Sequence, residues 1–266
     1  MSEAIAAAFE AVRTDGRRAA LMPYLMGGFP DVAASRAIGT ACAENGADLL
    51  EFGIPYSDPL ADGPVIHAAG TRALAAGATP AGVLAVAGDL AELVPVVVMC
   101  YANLVLARGA DAFARALASA GACGLIVPDL PLEEAPVVLE ACDAAGLALV
   151  PLVAPTTPED RLTAIGARAR GFLYTVSVTG TTGERAALAD AYADVVARAK
   201  AATDVPVALG FGIATPEQAL HAAAAGADGV IVGSRLVRAA AEAGGDPAPV
   251  RELVAEFATA LRADVE

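Results

Sequence analysis

"AENGADLLEFGIP" (43–55), set beside "ASAGACGLIVPDLP" (118–131) and "AAAGADGVIVGS" (223–234), decides the fold. Each stretch closes an alanine-rich helical segment, turns on a Gly-Ala pair and enters a short apolar run. The turn glycines fall at 46, 121 and 226, so the intervals are 75 and 105 residues. Those intervals equal two and three units of roughly 35 residues, the period of a strand and helix alternating around a barrel. Outward from this repeat, further Gly- or Pro-bounded apolar runs read as strands: 20–28, 47–55, 94–103, 123–131, 147–155, 171–180, 205–212 and 228–234. Runs without polar alternation suit strands covered on both faces, as in parallel sheets. Helical periodicity separates them over 33–45, 79–92, 109–120, 132–145, 158–169, 186–202 and 215–225. Eight such alternations predict an α/β (β/α)8 TIM barrel, with an additional N-terminal helix and a short helix after the eighth strand. With no linker or low-complexity tract, residues 1–266 are expected to form one domain; an open parallel sheet with a strand-order reversal is the competing topology.

The composition narrows the function. The chain has 266 residues, is 56% hydrophobic and carries a formal charge of -14, which opposes a nucleic-acid or anionic-membrane surface. Cys42, Cys100, Cys123 and Cys142 are far apart in Ala/Val/Leu-rich segments, so buried reduced thiols are expected rather than a metal or redox motif. The N-terminus has acids and arginines but no apolar signal core, and no charge-free run reaches the ~18 residues of a membrane span. A soluble cytoplasmic protein is the expectation.

One strand carries an anomaly. In "LLEFGIPYSDPLADG" (49–63), Glu51 interrupts an apolar strand, and Asp62 follows in a loop crowded with Pro, Gly and small polar residues. Asp62 alone is ordinary turn chemistry. The apolar strands around Glu51, however, offer no evident basic partner, so its pKa should be raised into the range of proton exchange near neutrality. An ionised neighbour at 62 would give two carboxyl groups with separate roles. Tyr101, Asp129 and Tyr174 stand at the ends of strands 3, 4 and 6, where barrel active sites gather, although strand-end tyrosines also serve as packing. Glycine-rich loops follow strands 6, 7 and 8: "SVTGTTGER" (177–185), "GFGIATPEQ" (210–218) and "GSRLV" (233–237). Free amides and a helix N-terminus in that position suit phosphate; tight βα turns alone are the alternative. The pattern G-F-G-I-A-T lacks the third glycine of a dinucleotide fingerprint. His67 and His221 have no carboxylate or thiol at ligand spacing, so no metal is expected. The one lysine, Lys200, lies in a helix, which removes a strand-borne Schiff-base lysine.

The series "LMPYLMGGFPD" (21–31), "LLEFGIPYSDPLADGPVI" (49–66), "MCYANLV" (99–105), "VPDLPLEEA" (127–135), "SVTGTTGER" and "GFGIATPEQ" resembles, in order and spacing, the motifs of the tryptophan synthase alpha chain family. The resemblance implies a lyase cleaving indole-3-glycerol phosphate to indole and glyceraldehyde 3-phosphate. It makes Glu51 the proton-transferring acid and base, and Asp62 the partner of the indole N–H. It places Tyr174, Tyr24, Ile66, Tyr101, Asp129 and Thr182 at the substrate, and Gly183, Gly212, Ile213, Gly233 and Ser234 at the phosphate. Tyr24 is a departure, since the family often carries Phe there. No cofactor is implied in this chain. Pyridoxal phosphate belongs to the beta chain, the implied partner in an alpha2beta2 assembly, toward which segments 54–66 and 178–190 would close as lids. A free-standing indole-releasing lyase, an allosteric subunit nearly inert until docked, and another phosphosugar barrel enzyme remain open alternatives.

Overall fold

The computed structural model describes residues 3–176 and 185–262, with side chains in the helix that follows the gap described from Tyr192 onward. Among the described residues, nine strands are found: β1 (Ala20–Met26), β2 (Leu50–Gly53), β3 (Val96–Met99), β4 (Gly124–Ile126), β5 (Ala148–Val150), β6 (Leu152–Val153), β7 (Leu173–Val176), β8 (Val207–Gly210) and β9 (Gly229–Val232). The helices are α1 (Glu3–Thr14), α2 (Val32–Glu44), α3 (Pro64–Ala75), α4 (Pro80–Ala91), α5 (Ala102–Arg108) and α6 (Ala110–Ser119). They continue with α7 (Ala135–Ala144), α8 (Glu159–Gly166), α9 (Arg185–Ala202), α10 (Pro216–Ala224), α11 (Ser234–Glu242) and α12 (Ala248–Arg262).

The strand order is β5-β4-β3-β2-β1-β9-β8-β7-β6, and every paired neighbour is parallel. The two ends of this order are consecutive in the chain, so the sheet curls into a barrel rather than staying open. The expected strand over 147–155 divides at Pro151, which has no N–H for a ladder. Its first half pairs with β4 and its second with β7, while the Pro151 carbonyl accepts from the Tyr174 N–H at 3.0 Å.

Parallel pairing leaves both sheet faces apolar, and β1 through β4 are buried along their whole length. The amphipathic α1 carries Ile5, Phe9 and Val12 into the core, with Phe9 against Phe172 at 6.1 Å between ring centroids. The four cysteines are free and buried. Burial pushes the Cys42 and Cys142 thiols up to about 12, and Cys100 also upward. Among the described residues, no single helix is long and apolar enough to cross a membrane.

The repeat has a mechanical meaning at the strand starts. Asp48 donates its N–H to the Leu21 carbonyl at 2.9 Å, and its Oδ2 accepts from the Leu21 N–H at 2.8 Å. Asp228 does the same to Val207, at 2.8 Å for both bonds. At the equivalent place Cys123 bonds the Val96 carbonyl twice, through its N–H at 2.8 Å and its Sγ at 3.2 Å. These two-point staples satisfy backbone groups where neighbouring strands begin. Arg17 closes a bidentate pair on Asp48, at 2.7 and 2.9 Å, with both side chains about nine-tenths buried (11% and 12% exposed).

The sequence missed two helices. α3 begins inside the expected lid 54–66, with Pro64 in its first turn, so Pro64–Ile66 are helical. α5 begins inside the run 94–103, which ends as a strand at Met99.

Removing Asp48 strands a buried guanidinium and the Leu21 N–H together. Asp48→Ala is therefore expected to cost ~3 kcal/mol in urea unfolding. A loss below ~1 kcal/mol would show that the staple contributes little.

Candidate active site

A cavity of about 550 Å³ opens at the C-terminal end of the barrel. Glu51 and Asp62 both line it, as do Tyr24, Ile66, Tyr174, Gly212, Ile213, Gly233 and Ser234. Thus the two carboxyl groups and the loops after β8 and β9 share one cavity. Thr182 and Gly183 lie outside the described residues, as does most of the expected lid 178–190; α9 starts at Arg185.

Glu51 is the second of four residues in β2, paired in register with Tyr24 of β1 and Val97 of β3. Strand geometry turns alternate residues to one face, and the position of Glu51 sends its carboxyl inward. It is 1% exposed, and among the described residues neither carboxylate oxygen has a hydrogen-bond partner. Burial, with the Asp62 charge adding, pushes its pKa up to about 8. The group therefore stands mainly protonated at neutral pH, close enough to titration to give and retake a proton.

Asp62 is held differently. The Tyr101 hydroxyl donates to its Oδ1 at 2.7 Å and accepts from the Ala61 N–H at 3.0 Å, pinning both side chain and loop. Burial raises the Asp62 pKa, while the Tyr101 hydrogen bond and the His67 charge oppose the rise. The acid pair is thus differentiated, one member unpartnered and the other supported. Tyr101 is the residue immediately before α5, not the end of a strand, and stacks on Tyr56 at 5.5 Å between centroids. It reaches the site through Asp62.

Two tyrosines flank Glu51, and glycines make room for both. A Cβ on Gly53, the last residue of β2, would lie 2.4 Å from the Tyr24 hydroxyl. One on Gly210, the last residue of β8, would lie 2.5 Å from the Tyr174 hydroxyl. Each ring leans across the end of the neighbouring strand, which only glycine permits. Burial first, then nearby charge including that of Glu51, raises both phenol pKa values, so both hydroxyls stay neutral. Tyr174 sits second in β7 rather than at its end.

Asp129 corrects an expectation. It lies three residues beyond β4 and is not in the cavity wall; its Oδ1 accepts from the Ala102 N–H at 2.8 Å, capping α5. A carboxylate at a helix start satisfies a free N–H and opposes the dipole.

Sequence reasoning overlooked several wall residues: Leu60, Met99, Phe211, Arg235 and Arg238. Phe211 had a signal, since it stands between two glycines in G-F-G. It adopts φ 66, a left-handed conformation rare for a bulky residue, and packs edge-on to Tyr174 at 6.0 Å. Among the described residues, no group of three or more His, Cys, Asp or Glu side chains could hold a metal ion.

Residues 9–265 match the family described as "Tryptophan synthase alpha chain". The tryptophan synthase alpha chain of Prochlorococcus marinus is 49% identical over 241 residues, covering 90% of this chain and 87% of that one. That of Gloeobacter violaceus is 49% identical over 250 residues, covering 92% and 89%. Among solved structures, tryptophan synthase from M. tuberculosis superposes with a TM-score of 0.91 at 42% identity, covering 99% of this chain and 100% of that chain. The tryptophan synthase a2b2 complex from the hyperthermophile Pyrococcus furiosus gives a TM-score of 0.85 at 34% identity, covering 90% and 97%.

Because the Glu51 pKa is raised on folding, its protonated form favours the native state. Its stabilising effect is full below the unfolded value of 4.5 and is lost as pH rises through about 8. Glu51→Gln should therefore melt above wild type at pH 8.5, by ~2–5 kcal/mol of stability, with the gap narrowing toward pH 5. Equal stabilities at pH 8.5 would show that Glu51 is solvated or paired.

Proposed function

This chain belongs to the tryptophan synthase alpha chain family, the lyase component of tryptophan biosynthesis, and on that premise we propose that its barrel mouth cleaves indole-3-glycerol phosphate to indole and glyceraldehyde 3-phosphate. One observation carries the proposal to these residues. The unpartnered carboxyl of Glu51, the supported carboxyl of Asp62 and the amide-bearing loops at Gly212 and Gly233 all face one cavity.

The reaction breaks the bond between indole C3 and the glycerol side chain. Glu51 begins protonated and gives its proton to C3, which makes the ring an indolenine-like cation. The resulting carboxylate takes the proton from the glycerol hydroxyl next to the bond. As that hydroxyl becomes the aldehyde, the bonding electrons return to the ring and indole leaves. The proton taken from the hydroxyl replaces the one left on C3, so Glu51 ends as it began. Asp62 accepts the indole N–H and stabilises the transient positive charge, and Tyr101 holds it in place for that task.

The phosphate is assigned to the loops after β8 and β9. Gly233 precedes α11 without a side-chain cap, leaving helix N–H groups free to bind an anion. Tyr24, Tyr174, Ile66, Ile213 and Phe211 give the indole an apolar enclosure, and Thr182 and Gly183 would complete the enclosure and the cradle. Asp129 supports the site from behind, through α5. The reading needs no cofactor in this chain.

The beta chain is the proposed partner, in an alpha2beta2 assembly, with pyridoxal phosphate held there. The Pyrococcus furiosus relative is described as an a2b2 complex with mutual activation, and it covers most of this chain. A free-standing lyase or a chiefly allosteric subunit is not favoured by these relatives. A cytoplasmic location accords with the reading.

Indole release from indole-3-glycerol phosphate, assayed with and without a beta chain, tests the assignment. Glu51→Gln should lower kcat by ~10³-fold, and Asp62→Asn by ~10²-fold. Near-native turnover by Glu51→Gln would remove the proton-transfer role. In wild type, kcat/KM should fall as pH rises through about 8, because the proton donor is then lost.

A further inference from the structure

We propose that Arg235 and Arg238 supply the formal positive charge that draws in and holds the phosphate dianion at the barrel mouth. The proposal rests on the function given above and adds two side chains to it, one that grips and one that steers.

Both residues stand near the start of α11, three apart and so on one face, and both form part of the cavity wall that also holds Glu51 and Asp62. They are the only basic side chains in the described wall. Arg235 is half-buried and Arg238 exposed at the rim.

Their position is electrostatically poor for the empty protein. The N-terminus of a helix is its positive end, where acids stabilise and cations do not. The first turn of α11 has no acidic residue, and Gly233 provides no side-chain cap. Neither arginine forms an ion pair or hydrogen bond with another described residue. Four other arginines, Arg17, Arg36, Arg161 and Arg198, do meet carboxylates, at 2.6–2.7 Å. Two cations with no carboxylate partner among the described residues, set over an uncapped helix start, are arranged for an anion that arrives from outside.

The cavity also has a repulsion to overcome. The chain carries a formal charge of -14, and the wall contains two carboxyl groups. Main-chain amides offer only partial charge, and a guanidinium adds a formal one against the field of an acidic protein. A guanidinium matches phosphate oxygens with paired donors and keeps its charge at every working pH. Arg235, the more enclosed, is the gripping residue. Arg238, on the rim, acts mainly on the approach, where ionic strength screens it.

The test uses the full chain as wild type, Arg235→Gln, Arg238→Gln and the double variant. Arg251→Gln on α12, away from this cavity, serves as the charge control. Binding of glycerol 3-phosphate and of indole is measured across a series of salt concentrations, alongside indole-3-glycerol phosphate cleavage. The double variant is expected to bind glycerol 3-phosphate about tenfold more weakly at low salt, with a flatter salt dependence. Indole binding should be unmoved, KM should rise about tenfold with kcat within about twofold, and Tm should hold or rise slightly once the helix start loses its cations. Arg251→Gln should match wild type. Wild-type affinity for glycerol 3-phosphate with an unchanged salt slope in the double variant would overturn the inference while cleavage, if intact, upheld the function. Arginine-dependent binding of glycerol 3-phosphate by a protein that does not cleave indole-3-glycerol phosphate would uphold the anion site and overturn the function.

Discussion

Keeping one carboxyl group out of water without giving it a hydrogen bond is the constraint around which the mouth of this barrel is built. Among the described residues Glu51 has no partner for either oxygen, and it is 1% exposed. Such a group is tolerable only in its neutral form, and that form is a proton donor at neutral pH. The cost is met by the fold. Parallel strands buried on both faces, sealed below by α1, give β2 a rigid and dry setting from which Glu51 cannot turn to solvent. A flexible loop would relax toward water, and the raised pKa would vanish with it.

Around that group the structure separates roles by environment. Asp62 sits on a loop, yet Tyr101 fixes it with one hydroxyl that serves both the carboxylate and the Ala61 N–H. Tyr101 in turn opens α5, whose first N–H is capped by Asp129. The chain of support runs from β4 through α5 to the carboxylate, so Asp129 affects the site without lining it. The opposite rim is built from turns and a helix start, where phosphate chemistry needs amides and charge rather than acids. Polar function therefore concentrates at one end of the strands, while the Asp48 and Asp228 staples secure the other.

Much of this was legible in the sequence, for identifiable reasons. Strands covered on both faces are continuous apolar runs, so their order and the barrel could be read directly. Glu51 stood out because it broke such a run, and its raised pKa followed from the absence of any cation nearby. What escaped notice depends on three-dimensional placement. Pro151 was visible, but the run through it stayed apolar, and only pairing with different neighbours divides it into β5 and β6. α5 lay hidden because its first turn continues the apolar character of β3. Asp129 read as a wall residue because sequence shows a carboxylate after a strand, not the N–H it faces. Arg235 and Arg238 were silent because the face of α11 that meets the cavity follows from how β9 delivers that helix.

The sealed thiols have a practical consequence. Alkylating and oxidising reagents attack the thiolate, and Cys42, Cys100 and Cys142 are both inaccessible and held protonated well past neutrality, with Cys123 buried as well. The native chain is thus chemically quiet toward maleimides. A cysteine introduced at Leu60, which is 82% exposed beside the cavity, would be the sole addressable handle, and a fluorophore placed there would report on the loop that carries Asp62.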